Sequence, residues 1–93
     1  MTVSNSGNTI NIEGNIKSVS DFQEIKKTID AIHDKSIKIV IKDSFSITSS
    51  VIGYLNKITH KDGVSIQMAV SDARLYELLN DLSLISLFNV HKI

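Results

Sequence analysis

The sequence predicts a small α/β domain in which short strands alternate with helices. Two hydrophobic periods carry this prediction. Apolar and polar side chains alternate over Ser36–Lys42, as in a strand, and apolar residues recur every three to four positions after Ser20, as in an amphipathic helix. The two patterns take turns along the chain, which favours a mostly parallel sheet with right-handed helical crossovers. With 93 residues, the chain is expected to form a single domain over positions 1–93.

The first half of the chain is predicted to contain two strands and one helix. Residues 1–8 are small and polar, and the first few of them are expected to be loose, whereas Thr9–Glu13 alternates as a half-buried strand does. Ser20 and Gln23 predict a capping box that starts a helix ending near Asp34. The apolar face of this helix consists of Phe22, Ile25, Ile29 and Ile32.

The second half continues the alternation. A helix is predicted over about 49–60 with Ile52, Leu55 and Ile58 inward, and Gly63 supplies the left-handed residue that follows its end. The remaining elements are a strand at 64–70, a helix opened by Ser71 and Asp72 with a leucine stripe, a turn or short helix at 83–87 and a last strand at 88–93. The first pair of strands is left open between parallel and antiparallel pairing.

Composition excludes several classes of function. The chain carries ten basic and ten acidic residues, so it lacks the basic excess of a nucleic-acid or anionic-membrane surface. It has no cysteine, which excludes disulfides and thiolate metal sites. No apolar run approaches the roughly 18 residues of a spanning helix, and no signal peptide is evident. We expect a cytoplasmic protein that binds no nucleic acid, does not insert into the membrane and uses no cofactor.

The segment around Thr48, Ser49 and Ser50 lies where a buried strand gives way to a helix. Backbone N–H groups at a helix start have no intrahelical partners, and the helix dipole favours anions there. The two serines can therefore be simple helix caps, or a site where phosphate is added and recognised. Partner and ligand sites of open α/β sheets lie at this carboxyl edge of the strands.

Three further residues of the same helix have two interpretations each. Val51 and Tyr54 form either an exposed apolar pair suited to a contact surface or, for one of them, part of the core. Gly53 lies inside the helix, where glycine is unfavourable, and indicates either tight packing, which we favour, or the close approach of a partner.

The histidines offer no catalytic or metal site. His33, His60 and His91 each fall at the end of a predicted element, in no recognisable motif and without the spacing of metal ligands. A serine nucleophile requires a base within hydrogen-bonding reach, and the sequence does not indicate one. We therefore predict no catalytic residues and no metal.

Four segments resemble, in the right order, parts of the STAS domain, the fold of anti-sigma factor antagonists. Residues 14–16 resemble its glycine-x-leucine turn and residues 37–41 its central strand. Residues 47–53, Ile-Thr-Ser-Ser-Val-Ile-Gly, resemble its signature apolar-Asp-Ser-Ser-Gly-Leu-Gly. Residues 77–88 are similar to its leucine-rich helix and the phenylalanine that follows. The resemblance implies a STAS-like single domain, with the family's final helix missing after Ile93.

The resemblance also implies a function. In the family, a partner kinase that is also the anti-sigma factor phosphorylates the second serine of the signature, which corresponds to Ser50, with Ser49 beside it. The implied partners are this serine kinase and a phosphatase of the PP2C type. The face predicted to bind them consists of Thr48, Val51, Tyr54 and Lys57.

The chain departs from the signature at two positions, which leaves a second function open. Thr48 replaces the family's aspartate and Val51 replaces a glycine. STAS-like domains also serve as constitutive structural subunits of ABC complexes that transport lipids, and in that role the serines would only cap the helix. Both interpretations describe a protein-binding module, not an enzyme.

Overall fold

Five strands and three helices make up the chain, and the structure, a computed structural model, describes residues 1–93. The strands are β1 (Thr2–Ser6), β2 (Thr9–Glu13), β3 (Ser36–Lys42), β4 (Ser65–Val70) and β5 (Val90–Lys92). The helices are α1 (Val19–Asp30), α2 (Ser49–Lys61) and α3 (Ala73–Asp81). The α/β class and the alternation of strands and helices from β2 onward are confirmed.

The strands form one mixed sheet in the order β1-β2-β3-β4-β5. β1 and β2 are antiparallel, whereas β2, β3, β4 and β5 run parallel to one another. The first predicted pair, β2 with β3, is therefore parallel, and the antiparallel pair involves the additional strand β1. Sequential parallel neighbours joined by crossovers of one hand place all their helices on the same side of the sheet.

One hydrophobic core lies between the sheet and the helix layer. Inward residues of neighbouring strands lie side by side; Ile39 on β3, for example, pairs with Ile10 on β2 and with Met68 on β4. β-branched side chains such as isoleucine pack well on a pleated surface. The helices contribute Ile25, Ile29, Val51, Leu55, Ile58, Leu75 and Leu79 to the same cluster. The opposite face of the sheet is open and mostly polar, so the molecule has two layers.

The polar segment at the N-terminus forms the edge strand β1 (Thr2–Ser6), so the prediction that the first few residues are loose is wrong from Thr2 onward. All five residues pair with β2, from Thr2 opposite Glu13 to Ser6 opposite Thr9. Only Val3 of this strand packs against the core. Backbone pairing, more than side-chain burial, therefore holds β1 in place.

Helix α1 begins and ends earlier than predicted. Ser18 is the N-cap in place of Ser20: its hydroxyl accepts a hydrogen bond from the Asp21 N–H at 3.1 Å. The Asp21 carboxylate in turn accepts from the Ser18 N–H at 3.1 Å, which completes a capping box two residues before the predicted one. Ser20 is an exposed residue of the first turn, and the helix ends at Asp30 instead of near Asp34.

The inward face of α2 is rotated slightly from the prediction. Val51, Leu55 and Ile58 are buried, whereas Ile52 is only partly buried. Val51 has only 2% of its surface exposed, so its assignment to an exposed contact pair is wrong and the core alternative is right. No helix of the protein reaches the combined length and hydropathy that crossing a bilayer requires.

The C-terminal part of the chain closes the sheet with a short edge strand. Residues 83–87 form turns, so the short-helix alternative is wrong. Phe88 is fully buried in the core, and the last strand covers Val90–Lys92, less than the predicted 88–93.

Candidate functional site

Serine side chains connect the loops at the carboxyl edge of the sheet by hydrogen bonds. Ser44, in the loop between β3 and α2, is buried, and its hydroxyl accepts from the Ile16 N–H at 3.2 Å and donates to the Ser46 carbonyl at 2.7 Å. The Ser46 hydroxyl donates to the Ile16 carbonyl at 2.8 Å. These bonds satisfy the polar groups of the loop and fix its position against the segment that precedes α1.

Two more contacts hold the same loop. Asp43, with a left-handed φ of 58°, donates its N–H to the Ser71 hydroxyl at 3.2 Å, and the Phe45 N–H donates to Asn15 Oδ1 at 3.1 Å. The loop that leads into α2 is therefore tied to both neighbouring loops, and the start of α2 is a fixed part of the carboxyl edge.

Thr48, and neither serine, caps α2. The Thr48 side chain accepts a hydrogen bond from the Val51 N–H at 3.3 Å, and its backbone is extended as an N-cap requires. Ser49 and Ser50 are the first two residues of the helix; both are exposed, and neither hydroxyl forms a hydrogen bond within the protein. The interpretation of these serines as helix caps is therefore wrong, and their oxygens are open to solvent beside the helix N-terminus.

The other residues of the predicted binding face have separate surroundings. Tyr54 is half-buried against α1, where its ring makes an edge-on contact with Phe22 at a centroid distance of 6.2 Å. Its hydroxyl donates to the Asp30 carboxylate, and Lys26 Nζ lies 5.3 Å from its ring centroid. Lys57 is exposed. Of the predicted face, Val51 is buried in the core and Tyr54 packs against α1. Only Thr48 and Lys57 therefore remain beside the two serines.

The contact between Tyr54 and Asp30 perturbs both groups. The ion pair with Lys26, at 2.6 Å, and the hydrogen bond from Tyr54 hold the pKa of Asp30 below its usual value. Partial burial, together with the nearby carboxylate, raises the pKa of Tyr54. Both effects favour the ionised aspartate and the neutral phenol, so the pair is a structural contact and not an acid–base couple.

An exposed aromatic residue at the carboxyl edge was not singled out from the sequence. Phe45 is 48% exposed, and the guanidinium of Arg74 lies 4.7 Å from its ring centroid, within the range of a cation–π contact. The Arg74 guanidinium also donates two hydrogen bonds to Asp72 and the Arg74 N–H donates a third, and together they lower the pKa of that carboxyl to about 2. The sequence feature that could have pointed to Phe45 is a single phenylalanine between two serines in a polar loop.

Gly53 lies on the outer side of α2, and the structure does not support the packing interpretation. A Cβ atom added at this position would meet no atom within 4 Å. A shallow groove lies on the helix surface at this position, lined by Gly53, Asn56, Lys57, His60 and Lys61.

The histidines and acidic residues are not brought together. His60 Nδ1 lies 3.0 Å from the carbonyl oxygen of Asn56, one helical turn earlier, and no histidine is hydrogen-bonded to a serine hydroxyl. No group of three or more histidine, aspartate or glutamate side chains is arranged to hold a metal ion.

Comparison of the chain with protein-family models, with curated proteins and with solved structures finds no significant match. The resemblance to the STAS domain therefore stays a prediction from the residues quoted above. The function has to be argued from the fold and from the start of α2.

Proposed function

We propose that the protein is a non-enzymatic, STAS-like regulatory module of the cytoplasm that binds a serine kinase of the anti-sigma type and is switched by phosphorylation of Ser50. The observation that carries this proposal is the free state of the two serine hydroxyls. Because Thr48 is the N-cap of α2, Ser49 and Ser50 are exposed and their hydroxyls form no hydrogen bond within the protein.

The modification needs only the partner kinase and ATP. The Ser50 Oγ attacks the γ-phosphorus of ATP, the new Oγ–P bond forms as the bond to the β-phosphate oxygen breaks, and ADP leaves. A base of the kinase accepts the hydroxyl proton. Since the hydroxyl is exposed and forms no hydrogen bond within the protein, the kinase would not have to unfold α2 to reach it.

The phosphate would affect the fold and the interface in opposite directions. At the second position of α2 it lies near free N–H groups and the positive end of the helix dipole, so the fold tolerates it. At a surface packed against a partner, a charge of about −1.5 to −2 has to be desolvated and repels acidic groups. Losing 1.4 kcal/mol of binding energy is about a tenfold loss of affinity, so one phosphate is enough to release a partner.

The two departures from the STAS signature are compatible with this function in the structure. Thr48, in place of the aspartate, still supplies the acceptor that caps the helix. Val51, in place of the glycine, directs its side chain into the core, so it adds no bulk beside Ser50. The element order, with the serines at the start of the second helix on the carboxyl edge, also supports the STAS assignment.

The test is incubation of the protein with ATP and a candidate serine kinase of the anti-sigma type, followed by mass spectrometry of the protein. We expect one phosphate on Ser50, lost in Ser50→Ala and kept in Ser49→Ala, and its removal by a phosphatase of the PP2C type. Ser50→Asp is expected to weaken binding to the kinase. Absence of modification at both serines, together with unchanged binding by Ser50→Asp, contradicts the proposal. Stable co-purification with an ABC ATPase instead supports the structural-subunit alternative.

A further inference from the structure

The outward side of α2 forms a continuous strip, which we call the α2 face. It consists of exposed residues that recur at helical spacing: Ser50, Gly53, Asn56, Lys57, His60 and Lys61. The strip lies opposite the buried residues Val51, Leu55 and Ile58, so it faces away from the sheet. Because the helices follow the sequential order of the strands, α2 is the middle helix of the layer, and its outward side is central on that surface.

The glycine in the middle of the α2 face has no role within the monomer. Glycine in a helix interior is less favourable than any residue except proline. At Gly53 the conformation is helical, and a Cβ atom would meet open space, so neither the backbone nor the packing requires glycine. Glycine here goes against the local preference of the helix without a gain inside the monomer, which is a pattern expected of residues in functional surfaces.

The charge of the α2 face has one sign. The helix Ser49–Lys61 contains no acidic residue, and neither Lys57 nor Lys61 is in a salt bridge. Two carboxylates border the face: Asp30 on α1, which is held by Lys26 and Tyr54 and whose pKa Lys57 helps to lower, and the exposed C-cap residue Asp62, next to Lys61. In a chain with no net charge, this face is a local concentration of cations.

We propose that the α2 face is a docking surface for an acidic helical segment of a protein partner. The groove at Gly53 lets the backbone of another helix approach closely, since helix separation depends on the side chains at the crossing point. Lys57 and Lys61 then supply the complementary charge along the C-terminal half of the groove. The inference deepens the proposed function, because it rests on Ser50 being part of the same face, where a phosphate would offset the cations and repel an acidic partner.

The test uses a defined probe, so it does not depend on knowing the natural partner. The probe is a synthetic helical peptide of about 20 residues, long enough to be helical alone, with glutamates along one side and alanines along the other. A second peptide carries glutamine at every glutamate position. Each is titrated into the isotope-labelled protein, and the amide signals are followed by NMR.

Two pairs of variants separate binding from folding. Gly53→Ala is expected to raise the melting temperature of the protein by about 4 °C and yet to lower its affinity for the acidic peptide about tenfold. Ser20→Ala, an exposed helical position on α1, is its control and leaves binding unchanged. Lys57→Gln is expected to weaken binding about threefold, whereas Lys27→Gln on α1 has no effect.

The expected result is that the acidic peptide shifts the signals of Ser50, Gly53 and Lys57, that the glutamine peptide does not, and that the shifts shrink at high salt. Shifts confined to another surface, equal binding of both peptides, no binding at all, or full affinity in Gly53→Ala would each overturn the inference. Peptide binding that survives while the kinase fails to modify Ser50 would support the docking surface and reject only the phosphorylation switch.

Discussion

The hydroxyl of Tyr54 on α2 donates a hydrogen bond to the carboxylate of Asp30 at the end of α1, so one pair of side chains joins the two helices. Lys26 completes the group by pairing with the same carboxylate at 2.6 Å. Tyr54 is thereby directed toward α1, where its hydroxyl and its ring are both in contact with that helix. We therefore assign it to positioning α2, not to contact with a partner.

Replacing this tyrosine tests the coupling between the helices. Tyr54→Phe keeps the ring contact with Phe22 but removes the donor to Asp30, so we expect a loss of about 1 kcal/mol in the free energy of unfolding. The pKa of Asp30 should rise toward its usual value while staying below it, since Lys26 remains. Urea denaturation and an NMR titration of the carboxyl measure the two effects. Tyr76→Phe is the control, because the Tyr76 hydroxyl forms no hydrogen bond; equal stability of the two variants contradicts the prediction.

The cap of α2 can be separated from the serines by a second comparison. Thr48→Ala removes the acceptor of the Val51 N–H and is expected to cost about 1 kcal/mol of stability. Ser49→Ala and Ser50→Ala remove hydroxyls that form no bond within the protein, so each should change stability by less than about 0.5 kcal/mol. Thermal denaturation of the three variants decides the matter. A serine variant that loses as much stability as Thr48→Ala would return the cap to that serine.

Two glycine-to-alanine substitutions are expected to have opposite signs. Gly14 has a φ of 91°, and an added Cβ would lie 3.2 Å from the Met1 Cα, so Gly14→Ala should destabilise the protein by more than about 1 kcal/mol. Gly53 is helical and open, so Gly53→Ala should stabilise it by up to about 1 kcal/mol. Denaturation curves of the two variants provide the measurement. Destabilisation by Gly53→Ala would show that the glycine has a structural reason after all.

Elements with a strong hydrophobic period could be predicted from the sequence, and the weaker ones could not. β2, β3 and β4 place an apolar residue at every second position, and their positions are confirmed, with β4 beginning at Ser65, one residue later than expected. β1 consists of Thr-Val-Ser-Asn-Ser, which has no alternation because it is an edge strand held by backbone pairing with β2. The start of α1 was ambiguous because both Ser18 and Ser20 are followed three positions later by a possible acceptor.

The candidate site was located more reliably than it was described. The strand-to-helix junction places Ser49 and Ser50 at the exposed start of α2, as the element order implied. The helical phase was uncertain, since Leu55 and Ile58 fit an inward face with either Val51 or Ile52; the buried fraction of Val51 decides it. The contact between Phe45 and Arg74 joins two distant loops, and no local pattern could predict it.

A negative charge at Ser50 should stabilise the fold while it opposes binding. Ser50→Asp places a carboxylate in the first turn of α2, where interaction with the helix dipole contributes about 0.3–1 kcal/mol. Asn56→Asp adds the same charge to the same face further from the N-terminus. It should therefore weaken binding of the acidic peptide without the stabilisation that comes from the helix dipole. Thermal denaturation and the peptide titration together measure both effects. A loss of stability in Ser50→Asp would mean that the start of α2 does not favour an anion.

The ion pair at the start of α3 should make stability depend on acid pH. Arg74 lowers the pKa of Asp72 to about 2, below the value of about 3.9 expected in the unfolded chain. The unfolded state therefore binds the proton more readily, so this contribution is complete above about pH 4 and is lost as the pH falls toward 2. Asp72→Asn keeps an acceptor for the Arg74 N–H but removes the charge, so its unfolding free energy should fall less steeply over this interval. Some slope will remain, because the pKa values of Asp21 and Asp30 are also lowered. Urea denaturation at a series of pH values measures how steeply the unfolding free energy changes with pH. Asp81→Asn is the control, because Asp81 forms no ion pair. Equal slopes for Asp72→Asn and the unsubstituted protein would mean that the pair with Arg74 does not persist in solution.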